Sequence, residues 1–109
     1  MHGFGKPRRL LKKSDYDRVF EQATRLSSPH FIVLYRDNTV GHARLGLALS
    51  KKAVAKAHDR NRIKRCLRES FRLQSLRAVD LVVLAKPRVG EADKSLLRNG
   101  LVRVWKALC

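Results

Sequence analysis

Acidic residues are scarce in this chain. Nine Asp and Glu stand against 25 Lys and Arg in 109 residues, a formal net charge of +16. The scarcity weighs against a protein that hydrolyses phosphodiesters by itself, because metal-assisted hydrolysis needs carboxylates gathered around one or more cations. Asp15 and Asp17 do not share a helix face, Asp37 falls in a turn, and Asp59 sits beside Arg60. Asp80, Glu91 and Asp93 are scattered. Cysteine is nearly lacking too: Cys66 and Cys109 form no metal-ligand spacing with His2, His30, His42 or His58. A disulfide between them is not expected in a reducing compartment. No apolar run approaches the roughly 18–20 residues of a membrane span. Basic residues crowd Met1 to Lys13, but no apolar stretch follows as a signal peptide requires. The expected location is the cytoplasm. No Gly/Ser linker and no internal repeat divides the chain, so residues 1–109 are read as one domain with a basic N-terminal arm at 1–13.

What is abundant is positive charge, and it is uneven. Residues 14–50 carry four bases and four acids, whereas Lys51 to Arg72 carries nine bases and two acids. Charges at this density repel one another, and a polyanion such as RNA, DNA or an anionic membrane relieves the repulsion.

The pattern along the chain predicts a helix from about Ser14, which can cap it with Asp17 reaching back. A short edge strand is possible near Thr24 to Ser27. Phe31 to Arg36, rich in β-branched and aromatic residues, reads as a strand, with Arg44 to Ser50 as its hairpin partner. A basic helix follows over about 58–73, though the glycine-free stretch Ala53 to Ala57 allows an earlier start. Asp80 to Ala85 is a buried strand, and a last helix spans about 93–108, with Leu97, Leu101, Val104, Trp105 and Leu108 on one side. Gly100 inside that helix costs about 1 kcal/mol against Ala unless a close contact requires it. The class is α+β, an α/β sandwich of about three helices on a small sheet.

At 100° per residue the basic helix divides cleanly. Ile63, Cys66, Leu67, Ser70 and Phe71 share one side, and Asn61, Lys64, Arg65, Arg68 and Arg72 the other. A mixed-sign helical face is ordinarily just solvated, but this one is nearly all one sign. Arg outnumbers Lys in it, and the Arg fork matches phosphate oxygens in bidentate fashion. Asn61 adds a donor and an acceptor for a ribose hydroxyl or a base edge.

The run Arg60-Asn61-Arg62-Ile63-Lys64-Arg65 resembles the signature of the bacterial ribonuclease P protein family. The resemblance extends to Gly46-Leu47-Ala48-Leu49-Ser50-Lys51-Lys52 before it, Arg68-Glu69-Ser70-Phe71 after it, the Lys12-Lys13-Ser14-Asp15-Tyr16 start and the Asp80 to Ala85 strand. It implies a small mixed sheet with a left-handed βαβ crossover, the ribosomal protein S5 domain 2-like arrangement, against the usual right-handed preference. It implies a subunit that joins a catalytic RNA, 1:1, in an endoribonuclease that removes the 5′ leader of precursor tRNA. The RNA would hold the active site and most of the Mg²⁺, so no catalytic residue is expected in the protein.

By the same resemblance, Arg60, Asn61, Arg62, Lys64, Arg65 and Arg68 are candidates for contacting the catalytic RNA. Lys51, Lys52 and Lys56 extend that surface, and Arg72 joins it from the wheel. A leader cleft between the first helix and the sheet would be lined by Tyr16 and Phe20, and by Phe31, Val33 and Tyr35 if those three face it. A one-residue slip in register exchanges the last three for Ile32, Leu34 and Arg36. Aromatics at such spacing are also ordinary core residues. A general RNA-binding or ribosomal-type protein with no part in cleavage fits the size and charge equally well. A membrane-surface role fits the Arg-dense face poorly.

Overall fold

The computed structural model describes residues 9–10, 12–74, 76–86, 89 and 94–108. In chain order these form α1 (Lys13–Glu21), β1 (Thr24–Ser27), β2 (Phe31–Asp37), β3 (Arg44–Ala48), α2 (Ala57–Arg72), β4 (Val79–Ala85) and α3 (Lys94–Leu108). The strands make one mixed sheet in the order β1-β2-β4-β3. Strand β2 runs antiparallel to both β1 and β4, and β3 runs parallel to β4. The class is α+β, as the sequence predicts.

One pairing departs from expectation: β3 is not the hairpin partner of β2. Strand β4 lies between them, and the true hairpin is β1–β2, closed at Ser28, whose Oγ accepts the Phe31 N–H at 3.0 Å. The reason is burial. Val79 to Val83 are all buried, so β4 takes a central place with a neighbour on each side. Helix α2 then forms the crossover that joins the parallel strands β3 and β4.

Both faces of the sheet are covered. On one, Phe31, Val33, Leu45, Leu81 and Val83 pack against Ile63, Leu67 and Phe71 of α2 and Leu97, Leu101 and Trp105 of α3. Trp105 lies edge-on to Phe71 with ring centroids 6.0 Å apart, and its indole N–H donates to Ser70 Oγ at 2.7 Å. The hydrogen bond satisfies the indole N–H, a polar group on a ring that is itself 1% exposed. On the other face, Val82, Leu34, Ala48 and Leu84 meet Val19 and Tyr16 of α1, and Leu10.

Leu10 changes the reading of the N-terminal arm. Its N–H donates to the Leu45 carbonyl at 3.0 Å and its side chain is buried, while Arg9 forms a parallel bridge with Leu45. Residues 9 and 10 therefore lengthen the sheet beyond β3 and are not a free arm. Residues 1–8 and 11 lie outside the described residues. The N-cap of α1 is Lys12, in extended conformation, two residues before the expected cap, and Ser14 lies within the first turn.

Candidate nucleic-acid interface

Helix α2 buries Ile63, Cys66, Leu67 and Phe71, the set the helical wheel predicts. Asn61, Arg65, Arg68 and Arg72 are exposed on the other side, with Lys64 half-buried at its margin. Lys51, Lys52 and Lys56 are exposed along the approach. The link is a turn, with Ser50 Oγ accepting the Ala53 N–H at 3.1 Å, and the helix begins only at Ala57. Arg60 differs from its neighbours. Its Nη1 donates to the Val54 and Ala55 carbonyls at 2.8 and 2.9 Å, so it ties the approach to the helix and has fewer donors left for a ligand. Arg62 lies 3.9 Å from Asp59.

Tyr16 reaches this basic face from the opposite side of the sheet. It lies over β3, the outermost full strand, directly on Gly46. A Cβ at position 46 would stand 2.8 Å from two Tyr16 ring carbons, so only glycine lets the ring seat there. Around the edge of β3 a cavity of about 170 Å³ is lined by Arg9, Leu10, Tyr16, Leu45, Leu47, Lys64 and Arg68. An aromatic ring from α1 and two cations from α2 thus converge on one space.

The seat of α1 is braced electrostatically. Arg44 Nε and Nη2 donate to the two oxygens of Asp80 at 2.8 and 2.7 Å, and Asn38 Nδ2 donates to Asp80 Oδ1 at 2.8 Å. Arg44 also lies 3.7 Å from Asp15 of α1. Burial pushes the Asp80 carboxyl upward, but the hydrogen bonds from Arg44 and Asn38 and the charges of Arg44 and Arg18 outweigh it and hold the group below its ordinary value. The hydrogen bond to Asp80 raises the Arg44 guanidinium against its own desolvation. Arg36 adds a further tie, donating from Nη1 to the Arg18 carbonyl at 3.0 Å.

Three of the expected cleft residues are elsewhere. Phe31 and Val33 are 1% and 0% exposed in the core beneath α2 and α3, on the face away from α1. Tyr35 is on that same face at its border, with the Arg77 guanidinium carbon 5.5 Å from its ring centroid. The strand sits in the other register: Ile32, Leu34 and Arg36 face α1. The ambiguity is physical, since Phe31-Ile32-Val33-Leu34-Tyr35 is apolar throughout and both sheet faces are covered. Phe20 lies one helical turn beyond Tyr16 and is 48% exposed, so it is not a core residue.

Among the described residues no three His, Cys, Asp or Glu gather in a way that could hold a metal ion, and no helix is long and apolar enough to cross a membrane. The fold and this convergence define a small, basic α+β protein with an aromatic ring and cations gathered at one edge of its sheet. The Ribonuclease P family model matches residues 4–109. The chain is 53% identical over 108 residues to the ribonuclease P protein component of Legionella pneumophila, covering 99% of this chain and 95% of the relative. It is 44% identical to that of Escherichia coli, over 97% and 91% of the two chains. The RNase P protein structure of Staphylococcus aureus superposes with a TM-score of 0.84 at 30% identity, over 92% of this chain and 94% of that one. The Thermotoga maritima RNase P protein gives 0.81 at 30% identity, over 93% and 97%. The chain belongs to the ribonuclease P protein family.

Proposed function

We propose that this protein is the protein subunit of a cytoplasmic bacterial ribonuclease P, binding one catalytic RNA and the 5′ leader of precursor tRNA. The carrying observation is the cavity at the β3 edge, where Tyr16 meets Lys64 and Arg68. A single-stranded leader offers unstacked bases and phosphates, and this site offers a ring and two cations at matching places. Ile32, Leu34 and Arg36 form the sheet side of the leader path, with Tyr16 and Phe20 on the helix side.

The cations divide by position. Lys64 and Arg68 turn toward the leader. Arg65 and Arg72, with Lys51, Lys52 and Lys56, remain for the catalytic RNA. Cleavage is assigned to the RNA subunit. Three carboxylates fit this reading: Asp80 and Asp15 are engaged with Arg44, and Asp59 with Arg62 and His58. That is not a donor set for Mg²⁺, which prefers several free oxygen ligands and water, so Mg²⁺ is assigned to the RNA and substrate. The protein's part is to lower phosphate repulsion and position the leader.

The test is precursor-tRNA cleavage by the matching catalytic RNA at low Mg²⁺, with and without the protein. Added protein is expected to raise binding and cleavage. Unchanged binding and cleavage would leave the general RNA-binding reading in its place.

A further inference from the structure

Helix α1 crosses the sheet diagonally. Tyr16, in its N-terminal half, sits over β3, whereas Arg18 near its C-terminal end is bonded to Arg36 of β2. Just past that end lies a second and larger cavity, about 430 Å³, lined by Gln22, Ala23, Thr24, Tyr35, Arg36, Asp37 and Arg77. Its size is that of a small-ligand site. Tyr16 lines the first cavity and Gln22, six positions on at the C-cap of α1, lines the second, a rise of about 9 Å at 1.5 Å per residue. Phe20, half-exposed, comes between those two residues along α1.

The second cavity has a particular chemistry. The Arg77 guanidinium carbon lies 5.5 Å from the Tyr35 ring centroid, within cation–π range. Arg77 Nε is 3.5 Å from Asp37 Oδ1, which fixes the side chain from a second direction. The backbone N–H of Arg77 donates to the Leu108 carbonyl at 3.0 Å, which anchors the residue to the end of α3. The side chain is nevertheless 46% exposed. A guanidinium laid over an aromatic ring, leashed, and still open to solvent is a stacking platform for an unpaired base. Arg36 in the same wall supplies a charge for the adjoining phosphate.

We propose that this cavity is a second nucleotide subsite, in which Arg77 stacked on Tyr35 receives one base of the precursor leader. The occupant is the same strand that passes Tyr16 and Phe20, carried round the end of the sheet from the Arg36 side to the Tyr35 side, at a nucleotide farther from the cleavage point. The inference rests on the leader-binding function proposed above. It adds that Arg77 supplies one step in affinity as the leader lengthens, because a short leader ends before it reaches that residue.

The test uses the reconstituted holoenzyme and precursor tRNAs whose leaders are lengthened one nucleotide at a time. Dissociation constants are measured for the wild type, Arg77→Ala and Arg77→Lys. The wild type is expected to show a step of about tenfold tighter binding at one leader length, within the range for a single stacked base. Arg77→Ala is expected to remove the step while leaving short-leader binding and affinity for the catalytic RNA unchanged. Arg77→Lys keeps the charge but loses the plane, and is expected to lose the step too. Loss of affinity by the same factor at every length, weakened binding to the catalytic RNA, or a step retained in Arg77→Lys would overturn the platform. A wild-type protein that aids short-leader precursors but shows no step overturns only this subsite. A protein that aids no precursor at all overturns the functional reading beneath it.

Discussion

The ring of Tyr16 lies only 2.8 Å from the point where any residue but glycine at position 46 would carry its Cβ, too close for one to fit. The backbone of β3 is thus the floor on which the aromatic wall of the site rests. Gly46→Ala is expected to displace Tyr16 and overpack the joint, costing about 1–3 kcal/mol. Thermal unfolding gives the stability loss, and the affinity of the holoenzyme for precursor, but not mature, tRNA should fall with it. Retention of full precursor affinity would detach Tyr16 from the leader.

The Asp80–Arg44 pair makes a pH-dependent contribution whose sign follows from the lowered Asp80 pKa. A carboxyl held below its ordinary 3.8 stabilises the fold above that value, and the contribution is lost as pH falls through the depressed one. Asp80→Asn is expected to cost about 3 kcal/mol near neutral pH, since it leaves the half-buried Arg44 with only the more distant Asp15 as counter-charge. The gap between variant and wild type should narrow in acid below the ordinary carboxylate range, which denaturant unfolding across pH measures directly.

Arg65 is exposed on α2 and borders Arg62, Cys66, Glu69 and Leu97 rather than the leader cavity. Arg65→Ala is expected to weaken binding to the catalytic RNA and to flatten its log–log salt dependence by roughly one unit, taking about 0.7–0.9 per phosphate contact. Titrations over a range of salt concentrations check this, and an unchanged slope places Arg65 off the RNA surface.

Gly100 lies in α3 without a contact that demands glycine. A Cβ there would meet Pro29 Cδ at 3.8 Å and Ser28 at 3.9 Å, which is ordinary van der Waals contact. Gly100→Ala is therefore expected to stabilise the protein by about 0.4–1 kcal/mol. A melting temperature that stays level or drops would show that the helix needs the glycine.

How much of this was legible in the chain depended on how many faces each element presents. Helix α2 has one buried and one basic side, so its 3.6-residue period alone separates Ile63, Cys66, Leu67 and Phe71 from Asn61, Arg65, Arg68 and Arg72. Strand β2 is covered on both sides, so alternation carries no direction, and Phe31 and Val33 fall on the core side. The β2–β3 hairpin failed for a different reason. Sequential strands usually pair, but the more deeply buried β4 displaces β3 from that place. The contact between Tyr16 and Gly46, and the meeting of Tyr16 with Lys64 and Arg68, join segments far apart in sequence, and no local pattern encodes them. The Arg60-Asn61-Arg62 signature identifies the family, yet Arg60 turns out to hold the Val54 and Ala55 carbonyls as well.

The central claim is that Tyr16, Phe20, Lys64 and Arg68 grip the leader rather than the body of the tRNA. Phe20 tests it with little risk to the fold, because it is half-exposed and its truncation does not open the core, unlike Phe31→Ala, which should cost about 3–5 kcal/mol. The decisive measurement is the affinity of the holoenzyme for precursor tRNA relative to mature tRNA, for the catalytic RNA alone, for the wild-type holoenzyme and for Phe20→Ala. The wild-type protein is expected to raise this ratio and Phe20→Ala to lower it by a factor equivalent to about 1–3 kcal/mol, one stacked base, with mature-tRNA affinity unchanged. Equal losses on precursor and mature tRNA, or a wild-type protein that leaves the ratio where the RNA alone sets it, would contradict the claim.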